Sequence, residues 1–118
     1  MTDPVFVFGS NLQGRHGKGA ALWAVQHRGA IPGCGGGRQG NAYGIPTKRT
    51  PWETLPLNEV HCHVLVFLGY ARAHPDLQFQ VTPIGCGLAG FTPAQIAPMF
   101  RDAPPNCILP DEFRAVLE

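Results

Sequence analysis

"VFVFGSNLQGRHGKGAALWA", Val5 to Ala24, is the stretch on which the reading of this chain turns. Val5 to Phe8 is an unbroken run of β-forming residues ended by Gly9. A short continuous apolar run of this kind suits a strand buried on both faces, as in a sheet covered by helices. The chain then crosses Gly9, Gly14, Gly17 and Gly19 and enters an alanine-rich stretch. Lys18 to His27 suits a short helix with Ala21, Leu22 and Val25 on one face and Gly29 as its stop. A strand that empties into glycines and then a helix is either a plain connector or a main-chain cradle for an anion. Glycines let N–H groups approach a phosphate without intervening side chains, and a helix N-terminus adds unpaired donors and a favourable dipole.

The same grammar recurs later. "LQFQVTPI", Leu77 to Ile84, alternates apolar and polar residues and predicts a strand. "GCGLAGF", Gly85 to Phe91, follows it, and "TPAQ" then opens a helix. Thr92 is the expected N-cap, Pro93 takes the first helical position, and Gln95 sits where a capping box needs it. Pro98 removes a helical hydrogen bond, so a kink or restart is expected there. In open α/β sheets, ligands bind beyond the carboxyl ends of strands, and two such loops side by side suit a diphosphate. The spacing of Gly14, Gly17 and Gly19 is neither GxGxxG nor GxxxxGK[ST], because Gly19 follows Lys18. That disfavours a nicotinamide dehydrogenase and a P-loop nucleotidase.

Between the two loops, Ile31 to Asn41 ("IPGCGGGRQGN") reads as a long flexible loop, a candidate lid. Ala42 to Lys48 ("AYGIPTK") reads as a short strand, with Pro46 suiting an edge or a strand end. Arg49 to Pro56 reads as a loop. Leu57 to His74 predicts a helix, since Leu57, Val60, Val64, Phe67, Leu68 and Ala71 recur at helical spacing and Pro75 ends it. Asn106 to Pro110 predicts a last short strand, and Asp111 to Leu117 a small helix. Alternation of strand and helix predicts a layered α/β fold with a mixed, largely parallel sheet, in a single domain over residues 1–118.

With 118 residues, 44% hydrophobic and 14% charged, the chain is globular and can bury a core without metal or disulfide staples. A net charge of +1, with no block of Lys or Arg, argues against a general nucleic-acid surface and leaves room for a pocket that takes an anionic small molecule. The 4 cysteines form no CxxC pair, so zinc-ribbon spacing is absent. His61 and His63, flanking Cys62 in a helix, point to different faces. No metal and no resident cofactor are expected. "MTDPVFVF" carries no basic segment before a long apolar one, and no stretch reaches the roughly 20 apolar residues of a membrane span. A reduced, cytoplasmic protein without a membrane partner is the expectation.

"HGKGAA" (His16 to Ala21), "AYGIPTK" and "IGCGLAGF" (Ile84 to Phe91) resemble the first ligand loop, the intervening strand and the second ligand loop of compact macrodomains, the family that binds ADP-ribose and related nucleotides. The motifs spread from Val5 to about Phe100, and "IGCGL" after a strand is the most specific piece. The likeness is greatest to the branch that includes terminal ADP-ribose protein glycohydrolase. It implies a macrodomain-like three-layer α/β/α arrangement. It implies ADP-ribose or an NAD-derived nucleotide held by Gly9, Ser10, Asn11, Gly17, Lys18, Gly19 and Ala20 on one side. Gly85, Cys86, Gly87, Leu88, Ala89, Gly90 and Phe91 hold it on the other. An ADP-ribosylated protein or nucleic acid is the implied larger partner.

That branch uses a lysine at the end of the middle strand, matched here by Lys48, and an aspartate just after "GCGL", where this chain has Ala89. The N-terminal strand of longer macrodomains and the aspartate that contacts adenine have no counterpart. A lysine amine attacks the anomeric carbon as a nucleophile, and a carboxylate moves the protons. With Ala89 the second role is vacant. Asn11 matches the asparagine that holds the distal ribose, and His16, a residue type suited to proton transfer near neutral pH, is the other candidate helper. His16 reads equally well as a loop histidine that contacts backbone. Two functions therefore stand side by side. One is hydrolysis of an ADP-ribosyl bond by Lys48 with His16 or Asn11 assisting; the other is a non-catalytic reader or sequestering module. A partner-binding domain whose glycines serve only turns is a third. Arg15 reads as a solvated charge, Cys86 as a buried inert thiol, and Trp23, Trp52, Phe91 and Phe113 as core or pocket wall.

Overall fold

In the computed structural model, which describes residues 3–118, the opening apolar run becomes β1, Val5–Asn11. Successive side chains of a strand point to opposite faces, and both faces of β1 are covered. Val5 and Val7 join the larger core; Phe6 and Phe8 join a second core on the other face. The helix α1, Gly19–Arg28, supplies the second core with Ala21 and Ala24 and ends at Gly29, whose φ of 76° is the left-handed cap position. Leu22, expected on the buried face, is exposed. The helix instead rests on its alanines, with Val25 half-buried beside them.

The remaining elements are β2 (Gly37–Gln39), β3 (Ala42–Thr50), β4 (Glu53–Thr54), α2 (Leu57–Ala73), β5 (Phe79–Val81), α3 (Pro93–Ile96), the 3₁₀ turn Ala97–Phe100, β6 (Cys107–Ile108) and α4 (Asp111–Leu117). The strand order is β2-β3-β1-β5-β6, with β4 on β3. β3, β1, β5 and β6 run parallel to one another, while β2 and β4 pair antiparallel with β3. The result is a compact mixed α/β domain with a mixed, largely parallel sheet. α2 buries Val60, Val64, Phe67, Leu68 and Ala71 in the larger core, the set its periodicity predicts apart from half-buried Leu57. Each fully buried phenylalanine there, Phe67, Phe79, Phe100 and Phe113, contributes about 2 kcal/mol of transfer free energy. Asn106 Nδ2 donates to the carbonyls of Ala71, His74 and Leu77, satisfying the end of α2 and fixing the approach to β6.

Several expectations need correction. Ala42–Thr50 is an interior strand of 9 residues rather than a short edge. Pro46 is tolerated because it falls between Gly44, which pairs with β2, and Lys48, which pairs with β4, so no antiparallel partner needs its missing N–H. Arg49 to Pro56 contains a small hairpin rather than a plain loop. The strand predicted over Leu77 to Ile84 is reduced to β5, since Pro83 cannot extend a ladder. Thr92, Pro93 and Gln95 form the expected capping box, and Pro98 restarts the chain as the 3₁₀ turn.

The glycine-rich segment Ile31 to Asn41 is no lid. It contributes β2 and lies beneath the first loop. The Gly33 amide donates to the Gly14 carbonyl at 2.9 Å, and Ser10 Oγ donates to the Gly35 carbonyl. The buried Gln39 side chain accepts from the Ile31 amide and donates to the Cys34 carbonyl. The cause is steric: glycines admit backbone-to-backbone approach that side chains would prevent.

Burial pushes the Cys107 thiol up from its ordinary 9.0 to about 11, with Arg72 opposing part of the rise. An acid raised in the folded state loses its proton first in the unfolded chain. Its stabilising contribution is intact below 9.0 and is lost as pH climbs toward about 11. Urea midpoints should fall across that window, and Cys107→Ala should flatten part of the fall. Tyr43, raised by burial and by Tyr70, adds slope of the same sign.

Candidate functional site

The two glycine-rich loops face one another across a cleft of about 810 Å³, within the roughly 300–1,000 Å³ typical of small-molecule sites. It lies over the carboxyl ends of three parallel strands: Gly9 to Asn11 from β1, Thr47 and Lys48 from β3, and Thr82 to Ile84 beyond β5. A bulge sharpens this end of the sheet. Ser10 pairs with Pro46 but Asn11 with Lys48, so Thr47 is the extra residue. Its hydroxyl donates to the Ser10 carbonyl at 3.3 Å, and Lys48 is carried into register with Asn11.

The first wall is the loop and the N-terminus of α1. Lys18 is the N-cap and makes no side-chain cap bond. Leu22 is the first α1 amide with an internal acceptor, the Lys18 carbonyl at 3.3 Å. The amides of Gly19, Ala20 and Ala21 therefore donate to no protein acceptor among the described residues, and all three residues line the cleft. Asn11 shapes the loop: its Nδ2 donates to the Arg15 carbonyl and its Oδ1 accepts from the Arg15 amide, each at 3.0 Å.

The second wall is a closed double turn. Cys86 N–H donates to Pro83, Gly90 N–H to Gly87, and Phe91 N–H to Gly85. That leaves the amides of Gly87, Leu88 and Ala89 without a protein acceptor among the described residues, again on the cleft. The expected helix N-terminus behind this loop makes no second donor set. The Thr92–Gln95 capping box closes the start of α3, which lasts only from Pro93 to Ile96.

Charge on the walls is uneven. Arg15, Lys18 and Lys48 face the cleft, against the single carboxylate of Glu112 from α4. Burial pushes the Cys86 thiol above its ordinary value of 9.0, and Glu112 adds to the rise. The thiol is therefore protonated at neutral pH and is no resting thiolate nucleophile. Lys48 Nζ donates to the Pro51 carbonyl at the tip of the β3–β4 hairpin. The same hairpin ties into both walls: Thr54 Oγ1 donates to the Ala89 carbonyl at 3.0 Å, and the Arg15 guanidinium carbon lies 5.8 Å from the Trp52 ring centroid.

Of the residues singled out in the sequence, Gly9, Ser10, Asn11, Gly17, Lys18, Gly19, Ala20, Lys48, Gly85, Cys86, Gly87, Leu88 and Ala89 come together on this one cleft. Gly90 and Phe91 belong to the turn behind it and are outside the lining. His16 is also outside. It is buried, with Nε2 at 2.9 Å from the Cys34 carbonyl and 3.1 Å from Gln39 Oε1. Both partners are acceptors, so Nε2 carries the proton, and the ring braces the Ile31–Asn41 segment against the first loop. Arg15, read as a solvated charge, lines the cleft, and so do Trp52 and Glu112. Trp52 follows Lys48 closely enough in sequence for the hairpin to have been suspected. Glu112 reaches the site from the last helix and carries no local signal.

Among the described residues no group of three His, Cys, Asp or Glu side chains is placed to hold a metal ion, and no helix is long and apolar enough to cross a membrane. No protein-family model, no curated protein and no solved structure matches the chain.

Proposed function

We propose that this protein is a macrodomain-like three-layer α/β/α domain that binds ADP-ribose or an NAD-derived nucleotide in the cleft and hydrolyses an ADP-ribosyl bond. The observation that carries the reading is the pair of opposed main-chain runs, Gly19 to Ala21 and Gly87 to Ala89, whose amides have no internal acceptor among the described residues. Unpaired N–H donors on two sides, with Arg15 and Lys18 beside them, suit a diphosphate that bridges the gap. Lys48 sits at the bulge end, where a ribose beyond the diphosphate would present its anomeric carbon. Its amine adds to that carbon as the bond to the acceptor breaks, and water then releases ADP-ribose. His16 acts as a brace for the loop, and Asn11 sets the loop's shape through Arg15. The reading includes a cytoplasmic location and an ADP-ribosylated protein or nucleic acid as the substrate's larger part.

Titration calorimetry with ADP-ribose tests the site: saturable heat is expected, and no heat at millimolar ligand abandons this ligand. A second reading, a non-catalytic reader, is favoured by Ala89 at the position of the family's aspartate and by the Pro51 carbonyl on Lys48 Nζ. Turnover decides between the two. With ADP-ribosylated protein and nucleic acid as substrates, Lys48→Ala should lower release of free ADP-ribose by at least about a hundredfold. Its affinity for ADP-ribose should change no more than about threefold. Binding without release by the unmodified protein would make it a reader.

A further inference from the structure

Trp52 is 80% exposed, yet it lines the cleft and is the sole aromatic side chain to do so among the described residues. Trp23, the other tryptophan, is packed against Phe6 and His27 outside the cleft. One exposed aromatic is ordinary by itself; what distinguishes Trp52 is its place on the rim of the cleft, where its open face is available to a ligand. In this structure the face already has a partner of informative chemistry, since the Arg15 guanidinium, a planar cation, lies 5.8 Å from the ring centroid. We propose that Trp52 is the stacking wall for a planar, positively charged ring at the Lys48 end of the ligand, and that the ring is the pyridinium of an oxidised nicotinamide dinucleotide. The proposal rests on the nucleotide reading of the cleft and adds to it the group beyond the second ribose.

Three placements carry it. The bond from Lys48 Nζ to the Pro51 carbonyl sets the amine beside the residue that precedes Trp52, so a group departing from a carbon near Lys48 lies against the hairpin tip. The hairpin is anchored, because Thr54 holds the Ala89 carbonyl, so the tryptophan is presented from a fixed base. Arg15 has its backbone fixed by both ends of the Asn11 amide, while its guanidinium is in none of the ion pairs among the described residues and touches the Trp52 face alone. A bound diphosphate attracts that guanidinium away from Trp52, and the vacated face takes a pyridinium of like shape and charge. The step is binding only; no hydride moves.

Calorimetry with three ligands tests this. The carbocyclic analogue of NAD⁺ keeps the pyridinium and cannot lose its ring; NADH carries an uncharged ring; ADP-ribose carries none. The NAD⁺ analogue is expected to bind about tenfold more tightly than NADH. Trp52→Leu should weaken the analogue about tenfold, Trp52→Phe by less than about threefold, and neither should move ADP-ribose by more than about twofold. In a Trp23→Phe background, where Trp52 is the sole tryptophan and is excited selectively at the red edge of the absorption band, the analogue should quench emission and ADP-ribose should not. Equal affinity for the analogue and NADH, or equal losses for the analogue and ADP-ribose in Trp52→Leu, overturns the proposal while leaving the ADP-ribose site standing. Failure of ADP-ribose to bind the unmodified protein removes the site itself and this assignment with it.

Discussion

Gly87→Val should cut ADP-ribose affinity by at least about a hundredfold while the melting temperature stays within about 2 °C. The two halves of this expectation come from the same geometry. A Cβ built at Gly87 meets nothing within 4 Å, and the residue's φ lies outside the left-handed region. A valine therefore fits the fold without strain, and the exposed position costs little stability. The open space in question is the cleft, however, because Gly87 lines it between Cys86 and Leu88. A β-branched side chain there occupies the volume above the amides of Gly87, Leu88 and Ala89 and keeps a phosphate out of hydrogen-bond range. Calorimetry and thermal denaturation on the same sample measure both halves. Unchanged affinity in a folded variant would place the nucleotide elsewhere and end the two-wall reading.

The opposite behaviour is expected at Gly35. A Cβ there would lie 2.4 Å from the Asn11 carbonyl oxygen and 2.9 Å from that of Leu12. Both obstacles are main-chain atoms at the carboxyl end of β1 and cannot turn aside. Gly35→Ala should cost about 3 kcal/mol, with the melting temperature falling by about 10 °C. The displaced segment carries Asn11, whose side chain sets the backbone of Arg15, so ADP-ribose affinity should fall with stability. Gly36 provides the contrast. A Cβ there approaches Pro46 Cγ at 3.4 Å, an ordinary contact, and Gly36→Ala should stay within about 0.5 kcal/mol of the parent. If both alanines behave alike, the Ile31–Asn41 segment is a loose loop and not the brace described above.

The elements legible in the sequence are those whose signals are local. Val5 to Phe8 announced a strand buried on both faces, because a run without polar alternation has no face to give to water. α2 followed from a period of buried residues, α3 from its capping box, and the 3₁₀ turn from Pro98. Most of the cleft was legible for the same reason: a strand end, glycines and a helix start occur in order along the chain. Errors fell where a residue's neighbours are distant in sequence. Glycines in the Ile31–Asn41 segment read as freedom, but Gly35 and Gly14 serve close approach between that segment and the first loop, and Gly33 supplies a left-handed φ of 93°, which only the packed partner reveals. Between the two readings of His16, catalytic helper or loop histidine on backbone, only the distant partners Cys34 and Gln39 decide for the second.

By itself the sequence determined β1, the four helical segments and the two glycine-rich turns between strand and helix, since each depends on residues within a few positions of one another. Tertiary structure alone decided that β3 is interior and that a bulge at Thr47 sets Lys48 opposite Asn11. It also decided that Trp52 and Glu112 complete the walls. Strand order, register and the meeting of α4 with the second loop are fixed by which faces can be buried together. That is a property of the whole packed chain, and no short window of residues encodes it.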